Sequence, residues 1–275
     1  MFPELFSIGP ITLKTYGLCM ALGFLAAWQV LSYFAKKAGK SPDSFSNLLI
    51  LMMVSGIVGS RIAYVIEHWQ KEFASHPELI IRVDQGGLMF YGGLILSILT
   101  FLIWCKCKKE PIVKFADMMA VVIPLGHAFG RIGCFFFGCC YGKVSDCACA
   151  ISFPAGSPAW HEQVSQKLIE SRATESLPVL PTQLFESISV LLLFIVLFFL
   201  YKKFGQKYQG LITGAYLSLY ALIRFGLECL RGDPRAGVGV LSIGQTISSI
   251  LLVIGLVFVV SSILIEKRLN GKKGF

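Results

Sequence analysis

Charged side chains are scarce in this sequence. They make up 15% of its 275 residues against 55% hydrophobic, and a mean hydropathy of +0.69 is not that of a water-soluble domain of this length. The chain therefore reads as an integral membrane protein. Two further absences narrow the reading. The amino terminus, MFPELFSIGP, lacks the basic region of a cleavable signal, so the first apolar span is expected to be retained. Among the nine cysteines there is no CxxC pair and no quinone-site signal accompanies them, which weakens a third reading, a membrane thiol oxidoreductase.

What is present is a series of apolar stretches long enough to cross a bilayer as helices. They run at about Tyr16–Ala35, Asn47–Ile66, Gly87–Cys105, Phe115–Phe137, Leu184–Tyr201, Leu211–Leu230 and Val240–Ile265, seven in all. The expected fold class is an all-α integral membrane protein of seven transmembrane helices. Residues 1–275 form a single membrane domain in this reading, and residues 138–183 form a small outer-face insertion between helices four and five.

Orientation follows from the basic residues, because Lys and Arg in short loops are held on the cytoplasmic side. Lys36, Lys37 and Lys40 follow span one, and Lys106, Lys108, Lys109 and Lys114 follow span three. Lys202, Lys203 and Lys207 follow span five, and Lys267, Arg268, Lys272 and Lys273 follow span seven. The opposite loops hold fewer: Lys71 and Arg82, then Lys143, Lys167 and Arg172, then Arg231 and Arg235, with Lys14 before span one. This places the amino terminus outside and the carboxyl terminus in the cytoplasm. The net charge of +9 is then mostly topology and calls for no nucleic-acid partner.

Ionisable side chains inside a membrane span are costly, and they face the bundle interior, a partner or a water-filled cavity. At about 1.5 Å of rise per residue, Arg61, Arg131 and Arg224 lie roughly 21, 24 and 20 Å from the inner ends of their spans, which puts all three in the outer half. Glu228 is one turn beyond Arg224 on the same face, and Arg231 continues that face at i+7 to the membrane surface. Glu228 can neutralise Arg224 or Arg61 in a structural salt bridge. The remaining cation suits a phosphate, which a planar guanidinium binds through two parallel hydrogen bonds.

Two Gly-rich stretches reach the same depth. Asp84-Gln85-Gly86-Gly87-Leu88-Met89-Phe90-Tyr91-Gly92-Gly93 opens span three, and Gly126, Gly130 and Gly133 form a small-residue stripe at i, i+4 and i+7 in span four. Helix packing alone explains such glycines, and a close backbone approach to a ligand is the alternative. His127, one turn below Arg131, is a candidate for supporting the arginine site, since sequence fixes no partner for it.

Beyond span four come Cys139, Cys140, Cys147 and Cys149, four cysteines in eleven residues on the expected oxidising face. Disulfides are the simplest reading, with connectivity left open. Zinc fits less well, because the spacing matches no standard knuckle and no histidine follows before His161. A reactive thiol is a further possibility for Cys134 and Cys139, close in sequence to the cationic Arg131. Cys105 and Cys107 are expected to be reduced and receive no role.

The stretch Gly130-Arg131-Ile132-Gly133-Cys134-Phe135-Phe136-Phe137-Gly138-Cys139-Cys140-Tyr141-Gly142 resembles a variant of the signature of the bacterial prolipoprotein diacylglyceryl transferase family, in which Gly-Arg-x-Gly-Asn-Phe leads to a Gly-Glu and a further Gly. Other segments agree in order: Tyr16-Gly17, Gly59-Ser60-Arg61-Ile62-Ala63-Tyr64, Pro181-Thr182-Gln183-Leu184-Phe185-Glu186, Arg224-Phe225-Gly226-Leu227-Glu228 and Gly244-Gln245. The resemblance covers nearly the whole chain and implies the same seven-span topology in a bacterial cytoplasmic membrane.

It also implies a reaction: the diacylglyceryl group of phosphatidylglycerol is attached as a thioether to the lipobox cysteine of a preprolipoprotein, with release of glycerol phosphate. No nucleotide, metal or other cofactor is implied. Carried over by position, Arg131 and Arg224 hold the phosphate, Glu228 orients Arg224, and Arg61 supports the head group. Tyr16, Gly92, Gly93, Cys134, Cys139 and Arg231 complete the substrate contacts. Three departures bear on the acceptor side. The family's His in the span-three motif is Tyr91 here, and the signature Asn and Glu are Cys134 and Cys139; in addition the His before the span-five Pro is Leu180. Tyr91 is the candidate to replace that His as acid, base or hydrogen-bond donor. The acceptor is then a lipobox cysteine or another thiol. A phospholipid-binding or lipid-transporting protein without transfer chemistry is the alternative.

Overall fold

The computed structural model describes residues 4–8, 11–82, 86–232, 237–238 and 241–272. Asp84, Gln85, Arg235, Val240 and Lys273 lie outside them. A short hairpin of β1 (Glu4–Ile8) and β2 (Ile11–Lys14) leads into α1 (Thr15–Lys37), α2 (Pro42–Glu67), α3 (Phe90–Cys107) and α4 (Ile112–Phe137). After the short α5 (Pro158–Ser165) come α6 (Thr182–Phe204) and α7 (Leu211–Glu228). A two-residue pairing of β3 (Gly237–Val238) with β4 (Leu241–Ser242) then leads into α8 (Ile243–Lys272).

Six of these helices, α1, α2, α3, α4, α6 and α8, are long and apolar enough to cross a membrane. The seventh long helix, α7, has its hydropathy lowered by Arg224 and Glu228. Helix ends depart from the expected spans where a local signal overrides hydrophobicity. Ser41 accepts from the Asp43 N–H, and Pro42 occupies the first turn, so α2 starts earlier than expected. Gly86 and Gly87 have φ of +89° and +72°, a backbone that no helix accommodates, so α3 starts only at Phe90.

Contacts divide the chain into two compact units, residues 30–115 and residues 1–29 with 116–275. In the first, α2 and α3 pack through glycine. A Cβ on Gly93 would lie 2.7 Å from the Gly56 carbonyl oxygen, and one on Gly59 would lie 2.7 Å from Leu96 Cβ. Gly92 likewise abuts Gly59 and Ala63. Of the two readings of these glycines, the geometry supplies the packing one, close backbone approach between helices. At the other end Phe45 stacks on Phe115 with centroids 5.1 Å apart, and Lys40 pairs with Glu110.

In the second unit the first half of α1 lies on α4. A Cβ on Gly23 would meet Phe129 Cβ at 3.0 Å, and one on Gly133 would meet the Tyr16 ring at 2.9 Å. The glycine stripe of α4 is therefore partly covered by α1. Helix α7 packs against α6 and α8. Its amino terminus is held by a carboxylate from α4: Asp117, fully buried, accepts from the Gly210 N–H at 2.7 Å and from the Thr213 N–H and hydroxyl at 2.8 and 2.7 Å. A carboxylate there satisfies donors that a helix start leaves open and complements its dipole.

The segment between α4 and α6 has a small core of its own, Tyr141, Phe153, Ala159 and Val179, against which Phe135 of α4 packs. Single bridges join Val144 and Ile151 to Val179. Trp160 donates to the Ala173 carbonyl at 2.8 Å, and Cys147 and Cys149 are joined by a disulfide.

Candidate functional site

Three helices, α4, α6 and α7, meet at one carboxylate that depth arguments from sequence passed over. Glu186, in the second turn of α6, is 1% exposed. Its Oε2 is 3.1 Å from Arg131 Nε and 3.9 Å from Arg224 Nη1, and its Oε1 is 3.2 Å from His127 Nε2. Arg131 Nε also approaches His127 Nε2 at 3.1 Å. His127, which lacked a partner in the sequence reading, thus has two, and its ring meets Tyr220 of α7 edge-on at 5.5 Å.

The second carboxylate is the expected one. Arg224 Nη2 is 2.7 Å from Glu228 Oε2, the i,i+4 pair read from the sequence. Glu228 is set in turn by the start of α8: Ser242 Oγ donates to Oε1 at 2.9 Å, and a Cβ on Gly244 would lie 2.6 Å from that oxygen, so a larger residue there would displace the carboxylate. Ser242 and Gln245 form a reciprocal cap in which the Gln245 N–H donates to Ser242 Oγ and the Ser242 N–H to Gln245 Oε1, both at 3.1 Å. The motif Gly244-Gln245 is thereby the device that aims Ser242 at Glu228.

One donor stands out. Arg224 Nη1 is buried and finds no hydrogen-bond acceptor among the described residues. Burying a guanidinium N–H without an acceptor costs about 1–3 kcal/mol or more. Such a donor is what an anionic oxygen from a ligand would satisfy.

Arg231 lies just past α7 and is 7% exposed, a buried side chain and not the surface residue that helical extrapolation expects. The helix ends at Glu228, and the chain then turns to run beside the cysteine loop: the Lys143 N–H donates to the Leu230 carbonyl at 2.9 Å, and Gly142 bridges to Arg231. Over Arg131, Arg224 and Arg231 against Glu186 and Glu228, three positive charges face two negative ones. The expected cationic surplus is smaller than the sequence suggested, because Glu186 offsets one guanidinium.

The cysteine loop is placed by the end of α4. The Cys139 N–H reaches back to the Cys134 carbonyl at 3.2 Å and the Gly138 N–H to the Phe135 carbonyl at 3.2 Å, with Gly138 at φ +81°. This is a Schellman cap, which folds the residue after the glycine over the last turn. Thr182 Oγ1 donates to the Cys140 carbonyl at 2.9 Å and Gln183 Nε2 to the Cys139 carbonyl at 2.8 Å, so the start of α6 fixes the loop as its next turn fixes Arg131. Cys140 is held well below the ordinary thiol pKa, first by hydrogen bonds from Cys134 and Cys139 and then by the Arg231 guanidinium. Tyr16, at the start of α1, sits on Gly133 within electrostatic reach of Cys134, Cys139 and Arg131.

Arg131, Arg224, Glu228, Arg231, Tyr16, Cys134 and Cys139 therefore belong to one unit. Arg61, Tyr91, Gly92 and Gly93 belong to the other. There Arg61 is buried and holds a turn together: Nε donates to the Ile80 carbonyl at 2.9 Å, Nη1 to those of Gly86 and Gly87 at 2.9 and 3.0 Å, and Nη2 to that of Leu79 at 2.6 Å. Its guanidinium lies 5.5 and 5.3 Å from the Tyr64 and Phe73 ring centroids. Tyr91, in the first turn of α3, is 53% exposed and meets Phe90 edge-on at 5.6 Å.

The sequence signal for Glu186 was present, since it is an ionisable residue inside an expected span. It went unused because it lies only two residues from the start of that span, where depth alone assigns it to the surface.

Residues 3–261 match the family model described as prolipoprotein diacylglyceryl transferase. The chain is 33% identical over 257 residues to the phosphatidylglycerol--prolipoprotein diacylglyceryl transferase of Clostridium tetani, an alignment covering 93% of this chain and 96% of that one. It is 32% identical to phosphatidylglycerol--prolipoprotein diacylglyceryl transferase 2 of Clostridium perfringens, over 96% of each. It is 34% identical to the phosphatidylglycerol--prolipoprotein diacylglyceryl transferase of Stenotrophomonas maltophilia, over 94% of this chain and 91% of the relative.

Proposed function

The chain belongs to the prolipoprotein diacylglyceryl transferase family, and from that premise we propose that it transfers the diacylglyceryl group of phosphatidylglycerol to a cysteine thiol of a prolipoprotein. The observation that carries the reading is the arginine pair on Glu186, with Arg224 Nη1 buried and without an acceptor among the described residues. In the reaction the acceptor sulfur attacks the glyceryl carbon, the carbon–sulfur bond forms as the carbon–oxygen bond to phosphate breaks, and glycerol phosphate leaves with the electron pair. Two guanidiniums fixed by buried carboxylates stabilise the charge that develops on the departing phosphate, and they need no reorganisation to do so.

In this reading Arg131 and Arg224 contact the phosphate, while Glu186 and Glu228 position them. Arg231, Tyr16, Cys134 and Cys139 line the same site. Gly92 and Gly93 set the start of α3, and with it Tyr91, by packing on α2. Arg61 acts through the turn it holds. Tyr91 takes the position of the family's His and receives the acceptor's proton or a hydrogen bond. The lipobox cysteine is the acceptor, and membrane lipids surround a single membrane domain of residues 1–275. All seven long helices cross the bacterial cytoplasmic membrane, with the amino terminus outside, the carboxyl terminus in the cytoplasm and residues 138–183 on the outer face.

A second reading rests on the replacement of the family's His, Asn and Glu by Tyr91, Cys134 and Cys139: a phospholipid-binding protein that keeps the arginines and lacks transfer. Purified protein incubated with labelled phosphatidylglycerol and a lipobox peptide separates the two. The transferase releases glycerol phosphate and labels the peptide, whereas a binder returns the lipid intact. Expression in cells depleted of their own transferase should restore modification of lipoproteins, and failure of both assays would remove the transfer reading.

A further inference from the structure

We propose that Cys134, Cys139 and Cys140 form a binding site for one thiophilic d10 metal ion, Cu(I) or Zn2+. Their three sulfur atoms lie within 4.8 Å of one another, and all three side chains are partly buried. Sulfurs sharing one such ion at about 2.3 Å stand about 3.8–4.0 Å apart, so small rotamer changes close the set. Thiolates select Cu(I) and Zn2+ over harder ions.

The sequence reading set zinc aside because C-x4-C-C matches no standard knuckle. The fold supplies what the spacing does not show. The Schellman cap returns Cys139 onto Cys134, and Cys140, at φ +64°, turns the next side chain to the same place. That left-handed backbone is uncommon for a residue with a side chain. It is held by the bonds from Thr182 and Gln183 to the two cysteine carbonyls, so the three thiols are gathered before any ion arrives.

The surroundings favour an anionic ligand set. The Arg231 guanidinium hydrogen-bonds Cys140, and Arg131 lies within electrostatic reach of Cys134 and Cys140. Three thiolates with Cu(I) carry two negative charges, and the single positive charge by which Arg131, Arg224 and Arg231 exceed Glu186 and Glu228 offsets one of them. Zn2+ leaves one and takes a solvent oxygen as fourth ligand. On binding, the ligating sulfurs that still carry a proton release it to solvent, and no electron is transferred. The disulfide Cys147–Cys149 lies outside the set.

The test is metal binding by the reduced full-length protein in detergent, read without any activity. Cu(I) is offered against a bicinchoninate competitor and Zn2+ against a chromogenic chelator, and the thiolate-to-metal charge-transfer absorption is recorded. One ion per chain is expected for the preferred metal. Cys134→Ser, Cys139→Ser and Cys140→Ser should each weaken binding by more than the roughly 10–100-fold that loss of an outer-shell partner costs, while Cys107→Ser leaves it unchanged. A monodisperse size-exclusion profile and an unchanged far-ultraviolet circular dichroism spectrum identify the variants that have folded. Absence of uptake by reduced wild-type protein would overturn the proposal. So would uptake that all three folded variants retain, which would mark the ion as adventitious.

Discussion

Replacing Glu186 with Gln removes the charge that holds Arg131 and faces Arg224 while keeping the side-chain volume. In the native site Glu186 Oε2 lies 3.1 Å from Arg131 Nε and 3.9 Å from Arg224 Nη1, and Oε1 lies 3.2 Å from His127 Nε2. The amide is neutral, keeps one acceptor oxygen and puts an NH2 donor where the other oxygen faced these groups. Removing one partner of a buried ion pair costs about 3–5 kcal/mol. Because Glu228 still holds Arg224 and one acceptor survives, the lower end applies. At about 1.36 kcal/mol per tenfold in rate, kcat should fall about 100-fold. Labelled phosphatidylglycerol and a lipobox peptide supply the assay, with glycerol phosphate release followed over a range of lipid concentrations. A positioning role predicts that kcat falls further than KM rises, because the arginines must meet the transition state more closely than the bound lipid. A Glu186→Gln variant within threefold of wild type, under conditions where Arg131→Ala is inactive, would refute the clamp.

Four shorter expectations accompany it. Arg131→Lys should lose nearly as much activity as Arg131→Ala, because lysine keeps the charge without the planar fork; a working lysine variant in the release assay would reduce the residue to a point charge. Asp117→Ala should lower stability by roughly 1.5–3 kcal/mol or more, the range for a hydrogen bond to a charged group, with earlier thermal unfolding in detergent as the readout and an unchanged midpoint as the contrary result. Arg61→Gln should raise proteolysis within residues 74–82, since the amide can replace only part of the four hydrogen bonds to backbone carbonyls; unchanged protection would show that this segment stands without them. Tyr91→Phe should abolish turnover with lipid binding intact if the phenol takes a proton, or weaken lipid binding by about 0.5–3 kcal/mol if it donates a hydrogen bond; no change in either measurement would reduce Tyr91 to packing.

Hydrophobic run length determined the helical membrane class. Each expected span coincides with a long helix, because in a bilayer every backbone polar group must be satisfied within its own segment. The i,i+4 pairing of Arg224 with Glu228 was legible for a similar reason, since helical periodicity is local. Only tertiary structure could decide which residue on another helix completes an ion pair. Glu186 and Asp117 each sit two residues inside an expected span, where depth alone reads as surface, and both are buried because a second helix brings donors to them. The glycines of α3 looked equally suited to a ligand or to a neighbour until the Gly56 and Gly59 backbones were found against Gly93 and Gly92. Arg61 has the same charge and expected depth as Arg131, yet its donors go to the carbonyls of Leu79, Ile80, Gly86 and Gly87, a placement that hydropathy does not encode. The three cysteines show the limit most plainly. Their spacing matches no metal motif, and they meet only because a glycine-capped helix end reverses the chain, a geometry set by φ at Gly138 and Cys140 and secured by side chains 42 to 44 residues away.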